Sequence, residues 1–154
     1  MNIEQASAFY YFDCIASEML PDVAMQSLLD GLESESLILL ASETDRVMST
    51  VGPLFELCLK ELGLNGRTKE QHSIEAAKYY AAIFLSGEID AETFGFKVGG
   101  VANYESAPEI LKEIYMNAVW HDECATEYGY SPDFMATRNE CVKRITELAK
   151  LLCA

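Results

Sequence analysis

Apolar residues recur at helical spacing along nearly the whole chain. The clearest case is residues 132–152, where five apolar residues repeat at intervals of three, four or seven positions: Phe134, Cys141, Ile145, Leu148 and Leu152. On the other side of this helix, Glu140 and Arg144 are four residues apart, so we predict an ion pair between them. The segment predicts a long amphipathic helix that begins after Ser131-Pro132.

Capping and breaking residues divide the rest of the chain into further helices. Pro21 suits a first helical turn, Ser34 can cap a short helix, and Thr68 with Gln71 forms a capping box. The other predicted helices cover residues 3–19, 21–30, 35–42, 53–62, 68–87 and 106–128. The chain is therefore expected to form a single compact all-α domain over residues 1–154, with seven or eight antiparallel-packed helices.

The segment 91–103 is ambiguous because it contains several glycines. Asp90 can cap a helix there, but Gly95, Gly99 and Gly100 weaken it, and a strand over residues 94–98 is the alternative. The glycines lack the order and spacing of a phosphate-binding loop. The spacing of Gly95 and Gly99 instead favours close approach of two helices.

The charge of the chain is strongly acidic and unevenly distributed. The 154 residues carry a formal net charge of −14, of which −9 belongs to residues 1–66 and −5 to residues 67–154. Such a field repels nucleic acid and anionic membranes and attracts basic proteins. We therefore expect no nucleic-acid or membrane partner, and a basic protein is the partner that the charge favours.

Most acidic residues have a structural use at helix starts or in ion pairs, but one group does not. It lies around the predicted helix 35–42, with Arg46 as its one nearby base, and consists of Asp30, Glu33, Glu35, Glu43 and Asp45. These five residues are the candidate partner surface. Solubility is the alternative explanation for them.

The cysteines and the apolar runs indicate the compartment. Five widely spaced cysteines without a C-x-x-C pair favour neither a disulfide framework nor a thiolate zinc site. No apolar run approaches the roughly 20 residues needed to cross a bilayer. The N-terminus lacks the basic and apolar regions of a secretory signal. We expect a cytoplasmic protein.

The chain offers few groups for catalysis. It has two histidines, His72 and His121, and none of the common nucleotide, hydrolase or metalloprotease motifs. Trp120, His121 and Asp122 form a candidate pocket, in which His121 could act as acid or base. His121 also continues an apolar helical stripe and can equally be a core residue. We therefore assign no catalytic residue, no cofactor and no metal.

Two apolar segments resemble a group of small bacterial all-helical proteins. These share a G-L-[DE]-S-x-x-L-x-x-L-A segment followed by a P-L-F-x-x-x-L-x-x-L-G helix. The matching segments here begin at Gly31 and at Pro53, and the likeness extends over residues 18–100. The resemblance implies a helical fold and carries over no catalytic residue.

The charge and the missing catalytic groups together favour a non-enzymatic protein that binds another macromolecule. An immunity or antitoxin-like inhibitor of a basic partner is one specific form of this hypothesis. The alternative is a small-molecule-binding or enzymatic helical domain with a pocket near Trp120, His121 and Asp122. A structural or oligomeric subunit is a third hypothesis, and the sequence does not predict an oligomeric state.

Overall fold

The computed structural model describes residues 1–102, 106–126 and 132–154, except for the side chains of Ala125, Thr126, Pro132 and Phe134. Eight helices and no strands are found in these residues, which confirms the all-α fold class. The helices are α1 (Ile3–Tyr11), α2 (Met19–Leu29), α3 (Glu35–Ser42), α4 (Met48–Glu61), α5 (Lys69–Leu85), α6 (Ala91–Val101), α7 (Glu109–Thr126) and α8 (Pro132–Cys153). None of the described helices is both long and apolar enough to cross a membrane.

The contacts within the chain group it into two compact units, Met1–His72 and Ser73–Ala154. Each unit has its own apolar core. The first core includes Leu20, Leu37, Leu40, Val51 and Phe55, and the second includes Phe94, Val98, Leu111, Ile114 and Ile145. A single domain over residues 1–154 therefore stays a prediction.

In the first unit, α2 packs on α3 and α3 packs on α4. Helix α2 ends where Gly31 takes a positive φ of 90°, and α3 starts where the Ser34 hydroxyl accepts a hydrogen bond from the Leu37 amide. The Glu61 carboxylate of α4 accepts hydrogen bonds from the hydroxyls of Ser34 and Ser36 and from the Ser36 amide. This carboxylate fixes the start of α3 against the end of α4.

Two boundaries in the first unit differ from prediction by five residues or more. Helix α1 ends at Tyr11 rather than at residue 19, because Asp13 adopts a left-handed φ of 53° that a helix cannot continue through. Helix α4 begins at Met48, five residues before Pro53. A proline disfavours helical backbone in the residue before it, because its ring clashes with that residue's N–H and Cβ. Here that residue is Gly52, whose lack of a Cβ removes part of the clash.

In the second unit, α6 is a continuous helix over Ala91–Val101, so the strand alternative for residues 94–98 is wrong. A Cβ on Gly95 would lie closer than 3.0 Å to the Ala118 Cβ of α7, and a Cβ on Gly99 would overlap the Tyr115 ring. Both glycines therefore allow α6 and α7 to pack closely, as their spacing predicted.

Helix α8 confirms most of its predicted apolar stripe. Cys141, Ile145, Leu148 and Leu152 are buried, and the Phe134 side chain lies outside the described part of the chain. The predicted ion pair between Glu140 and Arg144 is wrong. The Arg144 guanidinium instead bonds to Glu113 of α7 at 2.6 Å and to Glu147 at 3.3 Å.

Candidate functional site

The five acidic residues of the candidate partner surface lie at the ends of α2 and α3 and in the two loops that follow them. Asp30 is the C-cap of α2, Glu33 lies in the loop to α3, and Glu35 is the first residue of α3. Glu43 is the C-cap of α3, and Asp45 lies in the loop to α4. Four of the five are exposed and Glu43 is half-buried.

Three of these carboxylates make local hydrogen bonds. Asp30 accepts from the Gln26 amide nitrogen at 2.8 Å. Glu43 accepts from the backbone N–H groups of Thr44 and Asp45 at 2.9 Å, and Asp45 accepts from the Thr50 hydroxyl at 2.8 Å. The structure therefore provides a local use for Asp30, Glu43 and Asp45.

Glu33 and Glu35 make no comparable bonds. Within the described ranges, neither carboxylate forms a hydrogen bond or an ion pair. Glu35 still interacts favourably with the partial positive charge at the start of α3. Glu33 has no structural partner of any kind that the structure describes, so it is the least explained of the five candidate acids.

Arg46 does not neutralise this surface. Its guanidinium makes two bonds to the Asp22 carboxylate, at 3.0 and 3.2 Å, and a third to the Glu18 carbonyl oxygen at 2.9 Å. The one nearby base thus pairs with Asp22 and forms no ion pair with any of the five candidate acids. Their charge remains available to a partner from outside the chain.

Exposed apolar side chains accompany these acids. Of the fifteen large apolar side chains that the described part of the chain leaves exposed, eight fall within residues 19–48, which we call the hairpin segment. They are Met19, Met25, Leu29, Leu32, Ile38, Leu39, Val47 and Met48. Leu29 is 74% exposed and Ile38 60% exposed, so these side chains face solvent rather than the core.

A run of apolar residues in α3 predicts this exposure, although the positions of the acidic residues do not. Residues 37–40 are four consecutive apolar residues in a helix of eight. Adjacent residues point about 100° apart on a helix, so one buried face cannot hold all four. Leu37 and Leu40 fill the core, and Ile38 and Leu39 are therefore directed to solvent.

Trp120, His121 and Asp122 lie on α7. Trp120 is half-exposed, while the mostly buried His121 side chain places Nδ1 2.8 Å from a Glu92 carboxylate oxygen of α6. The Glu92 carboxylate is therefore in position to orient the His121 ring. The pocket near these three residues stays a prediction.

Metal binding has no support in the described residues, where no group of three His, Cys, Asp or Glu side chains could hold an ion.

Asp90 caps α6 by accepting a hydrogen bond from the Thr93 amide. This hydrogen bond, with a smaller contribution from the charge of His121, holds the pKa of the Asp90 carboxyl below the usual range. Its role is therefore structural.

Comparisons with family models, curated proteins and solved structures find no match to this chain.

Proposed function

We propose that this protein acts by binding a basic, amphipathic protein through the hairpin segment. The observation that carries the proposal is the presence, on two packed helices and the loops that follow them, of exposed apolar side chains and unneutralised carboxylates. Exposed apolar groups rimmed by charge are typical of protein interaction sites. The two kinds of group have complementary effects on binding.

The carboxylates act mainly on the rate of association. A net negative surface accelerates the approach of a positive one, and the effect is screened at high salt. The apolar side chains act after contact, because burying Leu29 and Ile38 against a partner removes apolar surface from water. The expected complex forms quickly at low salt and dissociates slowly.

An immunity or antitoxin-like inhibitor is the specific form of this proposal that we favour. In that form, the hairpin segment covers a basic surface of a toxin, and both proteins meet in the cytoplasm. The adjacent gene tests this form directly, because such an inhibitor is expected beside the gene of its toxin. A metabolic operon at that place would contradict it.

The first experiment compares charge reversals at matched sites. Glu33→Lys/Glu35→Lys changes the hairpin segment, and Glu70→Lys/Glu140→Lys makes the same change in net charge elsewhere. Glu35 and Glu70 both lie in the first turn of a helix, so the two variants lose similar helix-dipole stabilisation. Each protein is used to capture partners from a lysate of the source cells at low and high salt, and association with the captured partner is then timed.

We expect wild type and the Glu70/Glu140 variant to capture the same basic protein at low salt. The Glu33/Glu35 variant should associate at least about tenfold more slowly, because electrostatic steering accounts for a factor of 10 or more. Equal association rates for the two variants would contradict the proposal, as would a captured partner that is not basic.

The second experiment tests the apolar side chains. Ile38→Ser should speed dissociation of the complex, whereas Leu151→Ser should not, although Leu151 is similarly exposed at 64%. Both substitutions lie at exposed positions and should change the free energy of unfolding by only about 0.5 kcal/mol. Unchanged dissociation of the Ile38→Ser protein would show that the apolar residues of α3 are not part of the interface.

A further inference from the structure

The first unit contains a cleft of about 750 Å³ that is separate from the hairpin segment proposed above. Its lining comes from α1, from α4, from the loop between α4 and α5, and from His72 at the start of α5. The volume lies within the range of about 300–1,000 Å³ that is typical of small-molecule sites. The cleft can therefore hold a ligand of one or two rings.

The walls of the cleft are largely apolar and aromatic. Leu57 and Leu64 contribute aliphatic surface. The rings of Tyr11 and His72 are stacked, with centroids 4.4 Å apart and planes at 18°. A stacked pair of this kind presents flat surface to which another aromatic ring can pack.

Two buried polar atoms in the lining have no hydrogen-bond partner among the described residues. They are the Ser7 hydroxyl oxygen and Nδ1 of His72. Both residues are more than nine-tenths buried, with exposures of 2% and 6%. Buried polar groups are almost always paired, so two such atoms in one cleft point to a ligand that supplies the missing partner. By contrast, the equally buried Ser27 hydroxyl, which does not line the cleft, donates to the Val23 carbonyl at 2.8 Å.

The inner polar groups are uncharged at neutral pH. Burial, together with the charge of Arg67, lowers the pKa of His72, which keeps its imidazole neutral. Burial and the neighbouring Glu56 raise the pKa of Tyr10 to about 12, and its hydroxyl donates to the Glu56 carboxylate at 2.8 Å. The remaining charges of the lining, on Glu56 and Lys60, are of opposite sign. An uncharged ligand fits this arrangement better than an anion or a cation.

We propose that the cleft binds a small uncharged aromatic molecule that carries a hydrogen-bonding group. Its ring packs against the Tyr11–His72 stack and the leucines. Its polar group bonds to the Ser7 hydroxyl or to Nδ1 of His72.

Three probes with the same two-ring skeleton test this class of ligand: 2-naphthol, naphthalene and 2-naphthoate. Each is titrated into the 154-residue protein, and binding is followed by NMR chemical-shift changes of the backbone amides. We expect saturable binding of 2-naphthol with a dissociation constant below about 1 mM, with the largest shifts in α1 and α4. Naphthalene lacks the hydroxyl and should bind about threefold to tenfold more weakly, which is the effect of one net hydrogen bond. The anionic 2-naphthoate should also bind more weakly.

Two variants then locate the hydrogen bond. His72→Phe keeps a ring against Tyr11 but removes Nδ1, and Ser7→Ala removes the hydroxyl. At least one of them should weaken 2-naphthol binding by about threefold or more. Ser27→Ala is the control, because it removes a buried hydroxyl of the same unit outside the cleft, and it should leave the affinity unchanged.

Several results would overturn the proposal: no saturable binding of 2-naphthol up to its solubility limit, equal affinity for the three probes, preferred binding of 2-naphthoate, or shifts confined to residues outside the cleft. Unchanged 2-naphthol affinity in both folded variants would overturn it as well. If one variant fails to fold, the other variant and the comparison of probes on wild type still decide the question.

Discussion

The packing of α6 on α7 can be tested with one added methyl group. Gly95→Ala places a Cβ closer than 3.0 Å to the Ala118 Cβ and 3.3 Å from the Ile114 carbonyl oxygen. Gly100→Ala is the matched control, because it lies in the same helix and its added Cβ would meet nothing within 4 Å. The two variants therefore make the same chemical change with different surroundings.

The expected difference in stability follows from two opposing effects. Replacing glycine by alanine inside a helix stabilises it by about 1 kcal/mol, and by less near the helix end where Gly100 lies. Overpacking a core costs about 1–3 kcal/mol. The Ala118 Cβ is fixed to its backbone and cannot rotate away, so we expect the higher part of that range. Gly95→Ala should then destabilise the protein by about 1–2 kcal/mol, while Gly100→Ala should stabilise it by about 0.5 kcal/mol.

Urea denaturation followed by circular dichroism measures both effects. With a slope of about 1–3 kcal/mol per molar urea, the two midpoints should differ by about 1 M. Adding Ala118→Gly to Gly95→Ala should recover part of the loss, because it removes the other methyl of the clash. Equal midpoints for the Gly95 and Gly100 variants would refute the close approach of α6 and α7.

The remaining predictions concern two titratable groups of the first unit. Hydrogen bonds from Ser34 and Ser36 lower the pKa of Glu61, so its carboxylate contributes stability that is complete above about pH 5 and is lost as the pH falls through the lowered pKa. Glu61→Gln should therefore lower the urea midpoint at pH 7, and the difference from wild type should shrink on acidification; a difference independent of pH would contradict this. Burial raises the pKa of the Cys58 thiol to about 12, so iodoacetamide at pH 8 should modify the exposed Cys14 but not Cys58 in the native protein, as measured by mass spectrometry. Equal modification of the two would show that Cys58 is accessible.

The helix boundaries that could be predicted are those with local causes. The capping box of Thr68 and Gln71 forms as predicted, with bonds of 2.8 and 3.3 Å, and Ser34 begins α3. Such signals depend on a few neighbouring residues, which the sequence contains in full. The end of α1 differs because a left-handed backbone at Asp13 has no strong sequence signature.

The candidate site was predictable only in part, for a related reason. The acidic positions are visible in the sequence, but the direction of each apolar side chain depends on which helix packs against it. Ile38 and Leu40 have the same chemistry, yet Leu40 is fully buried and Ile38 mostly exposed. The cleft was not predicted, because it brings together Ser7 and His72, which are 65 positions apart in the sequence.

Solubility is the remaining alternative for the acidic residues of the hairpin segment, and the exposed apolar side chains argue against it. Charge that serves only solubility has no reason to coincide with exposed leucine and isoleucine, because those side chains promote association. In the second unit, Glu113 and Glu147 share Arg144, and Glu75 pairs with Lys78, so several acids there are neutralised within the fold. In the hairpin segment the apolar exposure and the unpaired charge occur together. A partner with basic and apolar groups would account for both the exposed apolar side chains and the unpaired charge, whereas solubility accounts only for the charge.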